Sequence, residues 1–218
     1  QLPESKLELF PNDLKGKKCI EIGCGAGYVS SWMARRGAEV IGIDPTPNQL
    51  ETARLLEKQY QLGIEFVEGF GEKLPFPDSC FDFAISEYGA SLWANPYEWI
   101  PEAARVLKQG SQLVFMTNHA FAICCMPDEE DENVPISKQL QRPYLGLFKN
   151  KWEFSSDETE FHLPHGEWIK LLRDNGFIVE RLLELGASPE SRSRYPWADV
   201  EWASKWPSEE VWCARLSL

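Results

Sequence analysis

The chain has 218 residues, of which 43% are hydrophobic and 26% charged, a composition typical of a globular protein that excludes disordered and fibrous chains. Acidic residues outnumber basic ones by 34 to 22, giving a formal net charge of -12 at pH 7. This charge repels a phosphate backbone, and the sequence has no basic stripe to offset it. Nucleic acid is therefore disfavoured as a substrate, and a small molecule is favoured.

Apolar periodicity predicts strands and helices that alternate along the chain. The predicted strands lie near residues 18–22, 39–43, 64–68, 81–86, 112–118, 177–185 and 210–217. The predicted helices lie near residues 27–36, 47–60, 96–108 and 165–175. This alternation predicts one α/β domain over residues 1–218, with a mainly parallel sheet and helices on both faces.

The segment from Cys19 to Asp44 reads as a strand, a glycine turn, a helix and a second strand, which is half of a nucleotide-binding unit. Gly23, Gly25 and Gly27 permit a tight turn and let the backbone approach a ligand closely. The second strand ends at Asp44, whose carboxylate can accept hydrogen bonds from two ribose hydroxyls.

The spacing of the glycines separates two classes of ligand. A dinucleotide site needs Gly or Ala at the sixth position of GxGxxG, which here is Tyr28, so an NAD-dependent oxidoreductase is the weaker interpretation. The run EIGCGAG, with Glu21 two residues before the first glycine, instead resembles the (D/E)xGxGxG motif of the class I S-adenosylmethionine-dependent methyltransferases. The resemblance covers most of the chain. It continues through Gly69 to Gly89 and through SEYGASLWANPYEWIPEAARVLKQGSQLVF, which is similar to a bacterial small-molecule branch of the family.

This resemblance implies a Rossmann-like fold with a seven-stranded, mostly parallel sheet in the order 3-2-1-4-5-7-6 and an antiparallel strand seven. It also implies S-adenosylmethionine as cofactor and S-adenosylhomocysteine as product, with no metal, bound beyond the carboxyl ends of strands one, two and four. In the family an amino-terminal helical segment covers the cofactor. Because the chain opens at Gln1 without a methionine, we expect residues and part of this lid to be missing upstream.

The resemblance also implies which residues contact the cofactor. They are the backbone of Gly23, Gly25 and Gly27, Glu21 near the methionine amine, Asp44 on the ribose, the adenine loop of Phe70, Gly71 and Glu72, and Glu87 and Tyr88 after strand four. Many members have Asp or Asn where this chain has Phe70. Phe70 can pack on the purine while Gly71 or Glu72 supplies the polar contact, although Glu72 also reads as an ordinary solvated acid. Asp44 has a second interpretation, as a cap for the helix that begins near Pro47.

Three residues are candidates for the methyl transfer itself, namely His119, His165 and Glu87. An acceptor hydroxyl needs a base, whereas an amine or a thiol can arrive deprotonated. His119 is the first choice, because it ends strand five near the pocket and imidazole titrates close to neutral pH. His165 precedes a helix, where it can equally serve only local hydrogen bonds. Glu87 lies where the family meets the transferred methyl, so it can stabilise a sulfonium or orient the acceptor.

Two long segments, near residues 120–161 and 186–208, fall outside the alternating pattern and are expected to form a lid or substrate-binding insertions, or else disordered excursions. Their aromatic side chains either fill a satellite core or wall an apolar pocket. These are Tyr144, Trp152, Tyr195, Trp197, Trp202 and Trp206. The acidic run Asp128 to Glu132 is most simply a solvated turn.

The cysteine pattern and the apolar runs indicate the compartment. The six cysteines form no CxxC pair and no Cys/His spacing suited to zinc, so we expect reduced, buried thiols and no metal site. No signal peptide opens the chain, and the longest apolar run, near residues 120–126, is too short to span a bilayer. We therefore expect a cytoplasmic protein with no membrane partner.

Together these features predict an enzyme that transfers the methyl group of S-adenosylmethionine to oxygen or nitrogen of a small, partly apolar metabolite, as a monomer or homodimer. A regulatory subunit that binds S-adenosylmethionine without transferring its methyl group is the alternative. An NAD-dependent oxidoreductase is the third interpretation.

Overall fold

The structure is a computed structural model that describes residues 4–127, 134–152, 155–188, 190–192 and 199–217. The acidic run at 128–132 and the aromatic residues Tyr195 and Trp197 lie outside these ranges. Within the ranges, every helix is too short or too polar to cross a lipid bilayer.

The strands of the described residues form one large sheet and one hairpin. They are β1 (Lys18–Ile22), β2 (Glu39–Asp44), β3 (Glu65–Glu68), β4 (Phe81–Glu87), β5 (Leu107–Asn118), β6 (Lys149–Trp152), β7 (Ser155–Phe161), β8 (Phe177–Leu185) and β9 (Glu209–Leu216). The large sheet has seven strands in the order β3-β2-β1-β4-β5-β9-β8, and β6 pairs only with β7. Its neighbours are parallel, except that β9 runs antiparallel to both β5 and β8. Numbered within the sheet, this is the predicted order 3-2-1-4-5-7-6, and the antiparallel strand seven is confirmed.

The helices connect these strands. They are α1 (Glu4–Leu7), α2 (Tyr28–Ala34), α3 (Pro47–Tyr60), α4 (Ala90–Trp93), α5 (Pro96–Val106), α6 (Ala120–Cys125), α7 (His165–Asp174) and α8 (Val200–Ala203). The predicted helix over 96–108 ends early because β5 begins directly after α5, at Leu107, which pairs with Phe81 of β4. Pro47 and Pro96 occupy the first turns of α3 and α5, where their missing N–H groups cost no helical hydrogen bond.

The sheet is buried on both faces. Ile20 of β1 pairs with Ile41 of β2 and with Ala84 of β4, which makes β1 a central strand. One core, on the side of α5 and α7, contains Trp99 and Trp168, whereas the core on the other face contains side chains of α2. Burial on both faces explains why the central strands read as nearly continuous apolar runs. None of the six cysteines forms a disulfide; five are buried as expected, whereas Cys80 is only half-buried.

The segment between β5 and α7 contains the short elements that the sequence did not predict, α6 and the β6–β7 hairpin. Their apolar residues pack with α8 into a separate satellite core that includes Ile123, Trp152 and Trp202. A six-residue helix and a four-residue strand are too short to show a clear apolar period. These elements are therefore visible only once the chain is folded.

Candidate active site

The turn after β1 has the backbone that its three glycines predict. The φ angles of Gly23, Gly25 and Gly27 are +79°, +51° and +80°, in the left-handed region that favours glycine. A Cβ atom on Gly27 would lie 2.6 Å from the Phe66 ring, so the turn also packs closely on β3. The Gly23 amide donates a hydrogen bond of 2.8 Å to the carbonyl of Ile43, which ties the turn to the end of β2.

Gly89, two residues after β4, contacts this turn. A Cβ atom on Gly89 would lie 2.2 Å from the carbonyl oxygen of Gly23. Ser86 of β4 fixes the contact, because its hydroxyl donates to the Ile22 carbonyl at 2.7 Å and accepts the Ser91 amide at 3.0 Å. Backbone groups from the ends of β1 and β4 therefore meet without a side chain between them.

Asp44 lies at the end of β2 and is 7% exposed. Its Oδ2 accepts the Gly25 amide and its Oδ1 accepts the Thr46 amide, each at 2.8 Å. The carboxylate thus connects the glycine turn to the residue that precedes α3. The two interpretations of Asp44, as a cap near α3 and as a ribose acceptor, therefore do not exclude each other. Each carboxylate oxygen can accept about two hydrogen bonds, which leaves capacity for a ligand hydroxyl.

Glu21 is the next-to-last residue of β1 and is 2% exposed. Its Oε2 accepts the backbone amide of Ser30 at 2.6 Å and also the Ser30 hydroxyl. Burial raises the pKa of Glu21 to about 8 despite these bonds, and the charges of Glu87 and Asp44 raise it further. Without a ligand, Glu21 is therefore largely protonated at neutral pH.

Glu87 and Tyr88 follow one another where β4 ends. Burial raises the pKa of Glu87, and the charge of Glu209 adds to the effect. Tyr88 has a φ angle of +51°, which is strained for an aromatic residue. Its amide donates to the Met116 carbonyl at 3.1 Å and its hydroxyl donates to Oε1 of Glu209 at 2.8 Å, so β5 and β9 hold it in this conformation.

The loop after β3 carries the predicted adenine contacts. The Phe70 side chain is 64% exposed, so its ring is accessible to a ligand. Glu72 is not simply solvated, because its Oε1 accepts the Asn95 amide at 3.0 Å, just before α5. A Cβ atom on Gly71 would lie 3.0 Å from side-chain atoms of Ile22 and Ala90, so the loop backbone packs against the end of β1.

Arg105 of α5 fixes the remainder of this loop, a role that the sequence did not indicate. Its guanidinium donates to the carbonyls of Leu74 and Phe76 at 2.9 and 2.8 Å. It also donates to the carboxylates of Glu102 and Asp78, both at 2.8 Å. Five donors in a rigid fork suit this arrangement, in which one side chain satisfies two carbonyls and two acids.

The titratable side chains of the candidate site described above are mainly acidic. Glu21, Asp44 and Glu87 influence one another, since both other charges raise the pKa of Glu21. In the part of the chain that the structure describes, neither lysine nor arginine forms an ion pair with any of the three. A buried or half-buried carboxylate without a counter-charge favours a cationic ligand.

His119, the first-choice base, has both ring nitrogens engaged. It is 4% exposed, and its Nδ1 accepts the Phe121 amide at 3.0 Å, which caps α6. Nδ1 therefore carries no proton, and the neutral ring holds its proton on Nε2, which lies 2.9 Å from Oε1 of Glu184. Neither ring nitrogen of His119 is therefore open to a substrate, which makes the first-choice candidate less suitable than its position in the sequence suggested.

His165 begins α7 and lies beside a residue that the sequence analysis missed, Glu210 of β9. Its Nε2 is 2.7 Å from Oε2 of Glu210, and Nε2 of His119 is 3.7 Å from the same oxygen. Ligand-capable atoms of His119, His165 and Glu210 thus lie within 4.8 Å of one another, although no sequence spacing indicated such a group. The proton on Nε2 of His119 occupies the lone pair that a metal would need.

The described aromatic residues of the two long segments mainly fill the satellite core. Trp202 is buried, its indole N–H donates to the Ser137 carbonyl at 2.9 Å, and its ring lies 5.4 Å from that of Trp206. Tyr144 is different, because its hydroxyl accepts the backbone amide of His165 at 2.8 Å. It therefore connects the segment between β5 and α7 to the start of α7.

Comparisons with known proteins agree with this geometry. Residues 20–115 match a family model described as a methyltransferase domain. The fatty-acid O-methyltransferase of Mycolicibacterium smegmatis is 33% identical over 105 residues, 47% of this chain and 38% of that protein. An uncharacterised methyltransferase of Bacillus subtilis is 31% identical over 168 residues, 70% of this chain and 64% of that protein. The chain thus spans less than two thirds of the length of these curated relatives.

A solved structure gives the same fold. An S-adenosylmethionine-dependent methyltransferase from Mesorhizobium loti superposes with a TM-score of 0.75 at 22% identity, covering 97% of this chain and 95% of the other. The residues matched by the family model run from β1 into β5 and include the glycine turn, Asp44 and Glu87. Over residues 20–115 the chain is thus similar to methyltransferase domains, and its fold is that of the class I S-adenosylmethionine-dependent methyltransferases.

Proposed function

We propose that this protein transfers a methyl group from S-adenosylmethionine to a small, partly apolar metabolite, at oxygen or nitrogen, with oxygen favoured. The observation that carries the proposal is the set of acidic side chains Glu21, Asp44 and Glu87, which have no ion-pair partner among the described lysines and arginines. Glu21, largely protonated without a ligand, can ionise beside a bound cation. S-adenosylmethionine is a net cation, with a sulfonium and an ammonium against one carboxylate. NAD is a net anion, because its two phosphates outweigh the nicotinamide ring. The charge of the site therefore favours the first ligand and disfavours an oxidoreductase.

The residues suited to hold the cofactor surround the ends of β1, β2 and β4. The backbone of the turn at Gly23, Gly25 and Gly27 admits a ligand closely, because no side chain intervenes. Asp44 has acceptor capacity for ribose hydroxyls, and the exposed ring of Phe70 offers a face to the purine. The remaining contacts that we propose are the Gly71 backbone, Glu72 and Tyr88, with Glu21 near the methionine amine.

The protein's contribution to this reaction is mostly geometric. When bound, S-adenosylmethionine supplies an electrophilic methyl group, and a single in-line displacement completes the transfer. Positioning the acceptor and excluding water can lower such a barrier by about 7–11 kcal/mol. Glu87, at the carboxyl end of β4, is suited to stabilise positive charge or to orient the acceptor, and His165 is better suited than His119 to take a proton from a hydroxyl.

Charge, a relative and the long segments support the kind of acceptor that we propose. The net charge of -12 disfavours nucleic acid, and the relative from Mycolicibacterium smegmatis is by name a fatty-acid O-methyltransferase. We propose that residues 1–218 form one domain in which the segments near 120–161 and 186–208 close over an apolar acceptor. We also propose that the protein acts in the cytoplasm as a monomer or homodimer.

Calorimetry with S-adenosylmethionine, S-adenosylhomocysteine and NAD tests the proposal before any acceptor is known. We expect both adenosyl ligands to bind at micromolar concentration and NAD to give no signal. Asp44→Ala should weaken adenosyl-ligand binding about 10-fold or more, since it removes a charged acceptor. Unchanged affinity in this variant would refute the assignment of the ribose site.

Turnover distinguishes an enzyme from a binding subunit. The purified protein is incubated with S-adenosylmethionine and a panel of long-chain fatty acids, catechols and hydroquinones, and release of S-adenosylhomocysteine is measured. Acceptor-dependent release supports the transferase. Tight cofactor binding without release across such a panel favours the regulatory subunit, and nicotinamide binding would favour the oxidoreductase.

A further inference from the structure

Glu210 is a buried carboxylate at the edge of the sheet where the candidate site lies. Glu210 is 1% exposed, and in the sheet register it lies opposite Thr117 of β5 on one side and Glu184 of β8 on the other. The preceding residue, Glu209, accepts the hydroxyl of Tyr88, which follows Glu87 directly. Glu210 therefore lies at the same edge as the end of β4, where we place the transferred methyl.

Glu210 is hydrogen-bonded to His165, the nearer of the two histidines beside it. Its Oε1 accepts the indole N–H of Trp212 at 2.9 Å, and its Oε2 is 2.7 Å from Nε2 of His165. Of the lysines and arginines in the described ranges, none forms an ion pair with it. Since a buried carboxylate needs hydrogen bonds or a counter-charge, His165 is the nearer of two imidazoles that can supply one, at 2.7 Å against 3.7 Å for His119.

The bond to Glu210 decides which nitrogen of His165 is available. Nε2 must carry the proton that it donates to the carboxylate, so Nδ1 holds the lone pair. Among the described residues no hydrogen bond is made to this Nδ1, and the side chain is 26% exposed. The other two histidines differ: both nitrogens of His119 are engaged, and the His162 side chain is 1% exposed with Nε2 against Glu160.

We propose that Glu210 is the positioning residue that sets the tautomer of His165 and makes its Nδ1 the base for an acceptor hydroxyl. This inference rests on the proposed function. The proton of the hydroxyl passes to Nδ1 while the oxygen pair forms the new C–O bond and the C–S pair stays with sulfur. Nothing is oxidised or reduced, and the imidazolium is stabilised by the carboxylate on its other nitrogen.

The electrostatics agree with this arrangement. The hydrogen bond that His165 donates to Glu210 raises the pKa of His165, burial opposes the rise, and the charges of Glu210 and Glu184 add to it. The groups that face the ring are Glu210 and Trp212 of β9, Glu184 of β8, and His119 after β5.

Nuclear magnetic resonance of the ring nitrogens tests the inference without an acceptor. The chain has only three histidines, so ¹⁵N-histidine spectra of the whole protein can be assigned with single variants such as His165→Asn. In the wild type we expect neutral His165 to be the Nε2–H tautomer, and Glu210→Gln should lower its titration midpoint and weaken the tautomer preference. Glu184→Gln is the matched control, since it removes an acid that bonds to His119, and it should shift His165 less. An unchanged midpoint and tautomer in Glu210→Gln would overturn the proposal.

Activity measurements provide an independent readout. With an accepted hydroxyl substrate, His165→Asn should lower the rate about 100-fold or more. Glu210→Gln should lower it less and move the acidic limb of the pH–rate profile downwards, because its base has a lower pKa, while KM changes little. Glu210→Asp keeps the charge and should restore part of the rate. It takes the place of Glu210→Gln in this test if Glu210→Gln does not fold. An unmoved limb in the folded variants would contradict the proposal.

Two further measurements separate the possible failures. Calorimetry should show that Glu210→Gln binds S-adenosylhomocysteine like the wild type. If the wild type itself binds no adenosyl ligand, the proposed function fails. The tautomer of His165 is decided independently by the ¹⁵N spectra, which need no ligand. Titration with Zn²⁺ tests whether His119, His165 and Glu210 bind a metal instead. Tight Zn²⁺ binding that is lost in His165→Asn and Glu210→Gln would show that His165 is a metal ligand rather than a base, and would overturn the inference.

Discussion

Gly23 and Gly89 touch through their backbones: a Cβ atom built on Gly23 would lie 2.5 Å from the Cα of Gly89. The contact joins the turn after β1 to the segment after β4, and both glycines are needed for it. Because the candidate cofactor contacts lie on these two segments, the spacing between β1 and β4 at this edge is set by backbone alone.

Gly23→Ala should therefore destabilise the protein more than backbone strain alone predicts. The control is Gly63→Ala, because Gly63 has nearly the same φ angle, +78° against +79°, but open space around its Cβ position. We expect a loss of about 1 kcal/mol for Gly63→Ala and about 2–4 kcal/mol for Gly23→Ala, measured by urea unfolding. Equal losses would show that the contact with Gly89 relaxes at no cost.

The buried acid Glu21 should make stability depend on pH. Its pKa in the folded protein, about 8, lies above the ordinary value of 4.5, so the folded state holds a proton that the unfolded chain releases. This contribution is fully present below pH 4.5 and is lost as the pH rises through 8. Between these values the free energy of unfolding should fall by roughly 1 kcal/mol per pH unit relative to Glu21→Gln, which mimics the protonated acid. Parallel curves for the two proteins would contradict this pKa.

Arg105 should stabilise the loop after β3 through geometry rather than charge. Arg105→Lys keeps the charge but cannot reach two carbonyls and two carboxylates at once, so we expect a loss of about 1–2 kcal/mol and weaker binding of S-adenosylhomocysteine. Arg173→Lys, at an exposed position of α7, is the control and should have no measurable effect. Urea unfolding measures the loss of stability, and calorimetry measures the binding of S-adenosylhomocysteine. Similar results for both variants would show that the four-partner arrangement of Arg105 does not stabilise the loop.

His119 should behave as a helix cap. Asn is also a good N-cap residue, so His119→Asn should keep the stability of the wild type within about 0.5 kcal/mol, whereas His119→Ala should lose about 1 kcal/mol. Methyl transfer should survive in His119→Asn, because the base that we propose is His165. Loss of turnover in a stable His119→Asn protein would restore His119 as the candidate base.

The sheet was predictable because its signals are local. β1 and β2 are short apolar runs bounded by glycine or charge, α3 and α7 have clear apolar periods, and the predicted bounds of these elements agree with the structure to within one residue. The hairpin of β6 and β7 was not predictable, because its strands are paired by contacts with each other and carry no alternating pattern of their own.

The sequence by itself determined the fold, the glycine turn and the acid at the end of β2, because each depends on residue types at fixed spacing along the chain. Only the tertiary structure decided which histidine has an available nitrogen. His119, His165 and Glu210 are separated by 46 and 45 residues, yet their side chains meet at one edge of the sheet. The carboxylates that bond to the two rings, Glu184 and Glu210, are brought there by the pairing of β5, β8 and β9, and hydrogen bonds across such distances leave no trace in local sequence.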